Sequence, residues 1–161
     1  MKKQFLPLML LASAICSCSE KQPETTEPMI TKTEIQVENG LLTPEIMHRL
    51  GKVGDVQVSP NHAKILYGVS YTSIEQNKGN RELYLMNVDG SENVKITNTP
   101  KSESNARWIN DSQIIYMRSG KLYTATIEGS TLKNETEVAG AEGMESFELS
   151  PAGDKLMFIK S

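Results

Sequence analysis

The residues able to do chemistry are few and scattered. Two cysteines, Cys16 and Cys18, lie together near the amino terminus, and two histidines, His48 and His62, lie apart. A catalytic serine needs a base within hydrogen-bond reach and a sharply exposed turn, often written G-x-S-x-G. These 161 residues contain no such segment. Gly68-Val69-Ser70-Tyr71-Thr72 begins like one but has Thr at the last position and falls in a strand-like run, so Ser70 reads as structural. His48 falls on an expected short helix with no nucleophile nearby in sequence, and reads as part of a solvated face. His62 follows Asn61 in an expected tight turn, where Asn and to a lesser degree His tolerate positive φ. Asn87-Val88-Asp89-Gly90 could belong to a calcium loop, but the upstream acid and the downstream bidentate Glu are missing at the required spacing. Glu103 and the acidic stretch from Glu135 to Glu145 read as solvated surface. With no phosphate loop, no H-E-x-x-H and no paired-cysteine motif, no catalytic residue, cofactor or metal is expected within these residues.

The cysteines make sense in the context of residues 1–17. Lys2 and Lys3 give a short positive start, and Phe5 to Ile15 is an apolar run of 11 residues interrupted by Ser13. A spanning helix needs about 20 residues, so this run fits the apolar region of a secretory signal instead. It ends in Ile15-Cys16-Ser17-Cys18, which resembles the lipobox of bacterial lipoproteins, with an aliphatic residue at −3 and a small residue at −1. Cys18 suits that pattern better than Cys16, for which Ser13 and Ile15 would occupy those places. The resemblance implies cleavage after residue 17, acylation of Cys18 and a membrane partner reached through the lipid. Ser19 rather than Asp after the cysteine implies the outer membrane, so the expected location is the cell envelope. Residues 18–42, rich in Glu, Thr, Pro, Lys and Gln, have too little apolar surface to offset their ordering entropy and read as a disordered tether.

The elements that follow have ordinary soluble composition, 38% hydrophobic and 23% charged. The formal net charge of −3 offers no nucleic-acid footprint. Thr43-Pro44-Glu45 predicts a short helix reaching about Leu50, with Thr43 as N-cap, an apolar side of Ile46, Met47 and Leu50, and a stop at Gly51. From Asp55 the period becomes strand-like. Val56 and Val58, Ile65 to Val69, Leu83 to Val88 and Val94 to Thr97 read as four antiparallel strands, with Asp89-Gly90 as a hairpin turn. The unit then recurs: Val58-Ser59-Pro60-Asn61 through Tyr67 corresponds to Trp108-Ile109-Asn110-Asp111 through Tyr116, and again to Leu149-Ser150-Pro151 through Phe158. Arg81-Glu82-Leu83-Tyr84 corresponds to Gly120-Lys121-Leu122-Tyr123, and residues 73–80 read as an insertion in the first copy. Four strands per unit of about 40–45 residues is the pattern of propeller blades. The expected fold is all-β, an incomplete β-propeller over 43–161 with blades near 51–97, 104–138 and 145–161. The competing reading is a generic antiparallel sandwich.

Leu42-Thr43-Pro44-Glu45, then Val56-Gln57-Val58-Ser59-Pro60-Asn61, then Arg81 to Gly90, resemble the start of prolyl-oligopeptidase-family serine peptidases of the exported dipeptidyl-peptidase and acylaminoacyl-peptidase types. The resemblance covers about residues 41–161. It departs at Asn61-His62, where Asp-Gly is usual, and at Ile109-Asn110, where Ser-Pro is common. It implies a propeller followed by an α/β-hydrolase domain with a Ser-Asp-His triad, the propeller restricting access to short peptides. That hydrolase domain would be a missing partner, and these residues alone would be inactive. In dipeptidyl peptidases, propeller glutamates capture the free amine of the peptide. Glu75 lies in the insertion, but no motif match carries the role to it. Two and a half blades fall short of the 4 to 8 of a closed ring, which marks the chain as an expected fragment. The alternative function is a non-enzymatic lipoprotein propeller acting as a binding scaffold.

Overall fold

A computed structural model describes residues 28–160. The signal segment 1–17 and Cys18 lie outside the described residues. The part of the expected tether that is described holds no strand, and it is tied to the sheet beside it. The Pro28 carbonyl accepts from Gln76 Nε2 at 3.2 Å and the Ile30 carbonyl from Asn80 Nδ2 at 3.4 Å.

Helix α1 spans Pro44–Arg49, and Thr43 Oγ1 accepts from the Ile46 amide at 3.3 Å, which satisfies one of the orphan donors at the helix start. Its expected apolar side is not part of the core. Ile46 is half-buried, while Met47 and Leu50 stay exposed because no sheet lies over them.

Among the described residues, ten strands make three antiparallel sheets. Sheet 1 holds β1 (Lys52–Val58), β2 (Lys64–Ser73), β3 (Lys78–Asn87) and β4 (Val94–Lys95) in that order. Sheet 2 repeats the order with β5 (Glu103–Trp108), β6 (Gln113–Arg118), β7 (Lys121–Glu128) and β8 (Thr131–Glu137). Sheet 3 pairs β9 (Met144–Leu149) with β10 (Leu156–Lys160). The residues expected as an insertion lengthen β2 and β3 into a projecting hairpin that turns at Ile74–Asn77. Strand β4 is shorter than the Val94–Thr97 run. Thr97 leaves the ladder because its hydroxyl accepts the Leu83 amide at 2.8 Å.

The register repeats along with the order. Val58 opposes Ile65, Trp108 opposes Ile114 and Leu149 opposes Leu156. Tyr67 stacks on its cross-strand partner Tyr84 at 5.5 Å, and Tyr116 on Tyr123 at 6.0 Å. Both β1 and β5 carry a bulge at the same place, with Asp55 at φ 50 and Asn105 at φ 51. The turns recur too. Ser59 Oγ accepts the Lys64 amide at 2.9 Å and donates to Asn61 at 2.7 Å, with His62 at φ 59, as expected of that turn. Ser150 Oγ accepts the Lys155 amide at 3.0 Å and donates to Asp154 at 2.7 Å. In sheet 2, Asn110 Oδ1 replaces the serine by accepting from Ser112 and Gln113 amides.

The sheets pack on each other through two apolar layers. Leu66, Leu83 and Leu85 of sheet 1 meet Trp108, Ile114 and Tyr116 of sheet 2. Ile115, Met117 and Leu122 from the opposite side of sheet 2 meet Met144 and Phe147 of sheet 3. Burying aliphatic and aromatic side chains of this size stabilises by roughly 1.5–3 kcal/mol each before entropy is counted. The three sheets do not close on themselves.

Candidate functional site

The densest polar cluster lies where the loop after β4 crosses the start of β5. Glu82 of β3 is buried, and its two oxygens accept from three donors. Asn80 Nδ2 and the Thr99 amide serve Oε1 at 3.2 and 3.1 Å, and Thr97 Oγ1 serves Oε2 at 2.7 Å. Thr99 Oγ1 also donates to Glu103 Oε1 at 2.8 Å, which links the two carboxylates and hence the two sheets.

Glu103 is 0% exposed, which corrects the expectation of a solvated acid. The Thr97–Lys101 segment folds over the start of β5, and that cover cannot be seen in the local residue pattern. Arg118, directly opposite on β6, donates from Nε to Glu103 Oε1 at 2.6 Å. The same guanidinium donates to Glu135 of β8 from Nη1 at 2.8 Å and from Nη2 at 2.9 Å. Tyr116 OH donates to the same Glu135 carboxylate. The Arg118 guanidinium also lies over the rings of Tyr123 and Tyr116, at 5.0 and 5.6 Å from their centroids. Glu103 Oε2 is buried without a hydrogen-bond partner.

These contacts move the two acids in opposite directions. Burial pushes the Glu103 carboxyl above its ordinary value, against the bonds from Thr99 and Arg118. The hydrogen bonds of Arg118 hold Glu135 below its ordinary value, against partial burial and with help from Tyr116. Burial, reinforced by Glu135, pushes the Tyr116 hydroxyl up. Glu137, further along the acidic stretch, pairs with Lys121 at 2.9 Å. The cluster borders a groove of about 450 Å³ lined by Thr97, Asn98, Thr99, Arg118, Lys133 and Glu135. It presents fixed charges and carries no nucleophile paired with a base.

The remaining sequence candidates fall elsewhere. Ser70 lies within β2, and its Oγ accepts from Arg81 Nη1 at 3.3 Å. Arg81 also pairs with Asp55 at 2.8 Å, across Gly68, where a Cβ would come within 2.4 Å of the guanidinium. His48 is exposed on α1 and His62 is exposed in its turn. Glu75 is exposed near the tip of the β2–β3 hairpin. A backbone hydrogen bond and one from Ser73 Oγ, at 3.0 Å, hold its carboxyl below the ordinary value. It borders a second groove, of about 280 Å³, with Arg49, Tyr71 and the segment from Pro28 to Thr33. Among the described residues, no group of acids, histidines or cysteines is placed to hold a metal ion. No described helix is long and apolar enough to cross a membrane.

The Glu82–Glu103–Arg118–Glu135 cluster was missed by sequence reasoning. Counting back from the Trp108–Ile114 register sets Ser104, not Glu103, opposite Arg118; the bulge between Ser104 and Arg107 shifts the pairing by one residue.

No protein-family profile matches the chain. It is 28% identical over 131 residues to a dipeptidyl-peptidase 5 of Porphyromonas endodontalis, covering 78% of this chain and 19% of that relative. It is 30% identical over 122 residues to a dipeptidyl-peptidase 5 of Porphyromonas gingivalis, covering 74% of this chain and 18% of that relative. The chain thus spans about a fifth of the length of the curated relatives it matches. These similarities mark it as a peptidase-related protein.

Proposed function

We propose that residues 43–161 are a propeller region of an exported serine peptidase of the dipeptidyl-peptidase type, and that this region is non-catalytic. The observation that carries the reading is the partial match to two relatives named dipeptidyl-peptidase 5. The repeated four-stranded order and register of sheets 1 and 2 support it, because propeller blades are four-stranded antiparallel units stacked face to face. In this reading the sheets shield a hydrolase domain and admit only short peptides. The serine nucleophile, its histidine base and the orienting acid belong to that domain, since no G-x-S-x-G occurs in these residues. The lipobox-like Ile15-Cys16-Ser17-Cys18 supports anchoring to the cell envelope through an acyl group on Cys18.

The genomic DNA that follows codon 161 tests the reading. A continuous frame encoding G-x-S-x-G and a later histidine is expected, whereas a frame holding only more strand repeats would overturn it. The purified 161-residue chain is expected to leave a dipeptide-anilide substrate intact, and turnover abolished by Ser70→Ala would refute the non-catalytic assignment. Incorporation of labelled palmitate, lost in Cys18→Ser, checks the anchor.

A further inference from the structure

Four asparagines take positive φ among the described residues: Asn39, Asn77, Asn105 and Asn134. Asparagine tolerates that region better than most residues, which accounts for its use at these positions. Three of the four precede a residue with a side chain, Lys78, Ala106 or Glu135, while Asn39 precedes Gly40. Asn39-Gly40 is the single Asn-Gly pair in the 161 residues. It sits in a short 3-10 turn, Glu38–Gly40, between the segment tied to the β2–β3 hairpin and the cap of α1.

The surroundings of this pair differ from those of the other asparagines. Asn105 and Asn134 lie inside strands β5 and β8, and Asn105 Nδ2 is bound to the Phe147 carbonyl at 2.7 Å. Asn80 is buried in β3. Asn110 Oδ1 accepts from the Ser112 and Gln113 amides at 3.0 and 2.9 Å. Asn39 and Gly40 are exposed, and both are left-handed, at φ 54 and φ 68. A bond from the Leu41 amide to the Glu38 carbonyl, at 3.2 Å, closes their turn. A Cβ built at Gly40 would meet no atom within 4 Å beyond its chain neighbours. The backbone there can rotate without displacing packed atoms, and no side chain on residue 40 shields its amide nitrogen.

We propose that Asn39-Gly40 is a site of spontaneous covalent modification, at which Asn39 deamidates through a cyclic imide. The Gly40 amide nitrogen attacks Asn39 Cγ, and the Cγ–Nδ2 bond breaks. Nδ2 leaves as ammonia, carrying the proton that the Gly40 amide gives up. Water then opens the imide at one of its two carbonyls. Attack at Cγ leaves an ordinary aspartate. Attack at the main-chain carbonyl breaks that carbon's bond to Gly40 nitrogen, so the chain runs on through Cγ as isoaspartate. Either product adds a negative charge next to Glu38. Isoaspartate also adds a backbone carbon between Glu38 and Leu41, which disrupts the bond that closes the turn. The link between the hairpin-tied segment and α1 therefore changes with the age of the molecule. The reaction depends on this turn alone, so its failure leaves the peptidase reading untouched.

Peptide mapping by mass spectrometry tests it, on the purified chain held for days at physiological temperature and neutral pH. The peptide carrying Asn39 is expected to gain about 1 Da and to split into two chromatographic species. The isoaspartate species is expected to accept a labelled methyl group from an isoaspartate methyltransferase. The mass gain distinguishes this event from isomerisation at Asp89-Gly90, which leaves mass unchanged. Peptides carrying Asn105 and Asn110 are expected to keep their mass. Gly40→Ala is expected to slow the gain about tenfold, because its methyl group hinders the attacking nitrogen. Asn39→Gln is expected to slow it further, because a larger ring must close. Both substitutions lie outside the sheets, and circular dichroism checks that the strands persist. In guanidinium chloride the unfolded chain is expected to react at Asn39 within a few-fold of the folded rate, since the turn offers little protection. A folded chain that keeps its mass at Asn39 while the unfolded chain reacts would overturn the proposal. So would equal rates in the parent and Gly40→Ala.

Discussion

Arg118 divides one guanidinium between two carboxylates of unequal burial, and the division sets opposite pH responses. Glu135 has a folded-state pKa below its ordinary 4.5, chiefly through Arg118. Its contribution to stability is present above 4.5 and is lost as pH falls through the folded value. Glu103 is shifted the other way by burial. Its folded form holds the proton more firmly than the unfolded chain does, so its contribution is full below 4.5 and is lost as pH rises through the folded value. Glu103→Gln replaces the acid with a neutral group of the same shape. The unfolding free energy of this variant relative to the parent is therefore expected to improve between pH 4 and pH 7 in urea titrations. Arg118→Met leaves Glu103 buried without its cation, at a cost of about 3 kcal/mol near pH 7. Near pH 4 the cost is smaller, because protonation of Glu103 removes the uncompensated charge. Equal costs at both pH values would show that Arg118 acts through packing on Tyr116 and Tyr123 alone. Neither the opposition of Glu103 and Arg118, which depends on the bulge between Ser104 and Arg107, nor the burial of Glu103 was legible from the hairpin. That burial comes from a loop of the neighbouring sheet, and strand periodicity reports only a strand's own two faces.

The first strands of sheets 1 and 2, β1 and β5, carry bulges that place Asp55 and Asn105 in the left-handed region, at φ 50 and φ 51. Most side chains clash with the backbone there, while Asn and Asp tolerate it. Asn105 has a second role, since its Nδ2 donates to the Phe147 carbonyl at 2.7 Å and ties sheet 2 to sheet 3. Asn105→Ala loses both the tolerated φ and the hydrogen bond, at an expected cost of about 2 kcal/mol. Asn105→Gly keeps the backbone freedom and loses only the bond, at about 1 kcal/mol. Urea unfolding separates them, and equal costs would remove backbone strain from the account. Alternation reports a strand but not its burial: Val56 and Val58 alternate with polar residues as expected, the register slips between Gly54 and Gln57, and both valines are exposed. The helix cap at Thr43 and the turns at Ser59 and Ser150 were legible because each is decided by residues within five positions of one another. The contacts of Pro28 and Ile30 with the β2–β3 hairpin were not, because they join segments about fifty residues apart.

At the scale of the whole molecule, the three sheets form a series in which each contacts only its neighbours, so stability is distributed by position. In such an array every unit draws on its own strands and on the interface at each face. Sheet 2 is packed on both faces, sheet 1 on one, and sheet 3 on one with only two strands. Local opening therefore requires the most broken contacts in sheet 2 and the fewest in sheet 3. Native-state hydrogen exchange at low protein concentration is expected to show the slowest amides in β6 and β7, with β2 and β3 next and β10 the fastest. Uniform protection across all three sheets at low concentration would mean that they open as one unit, and the positional account of stability would then fail.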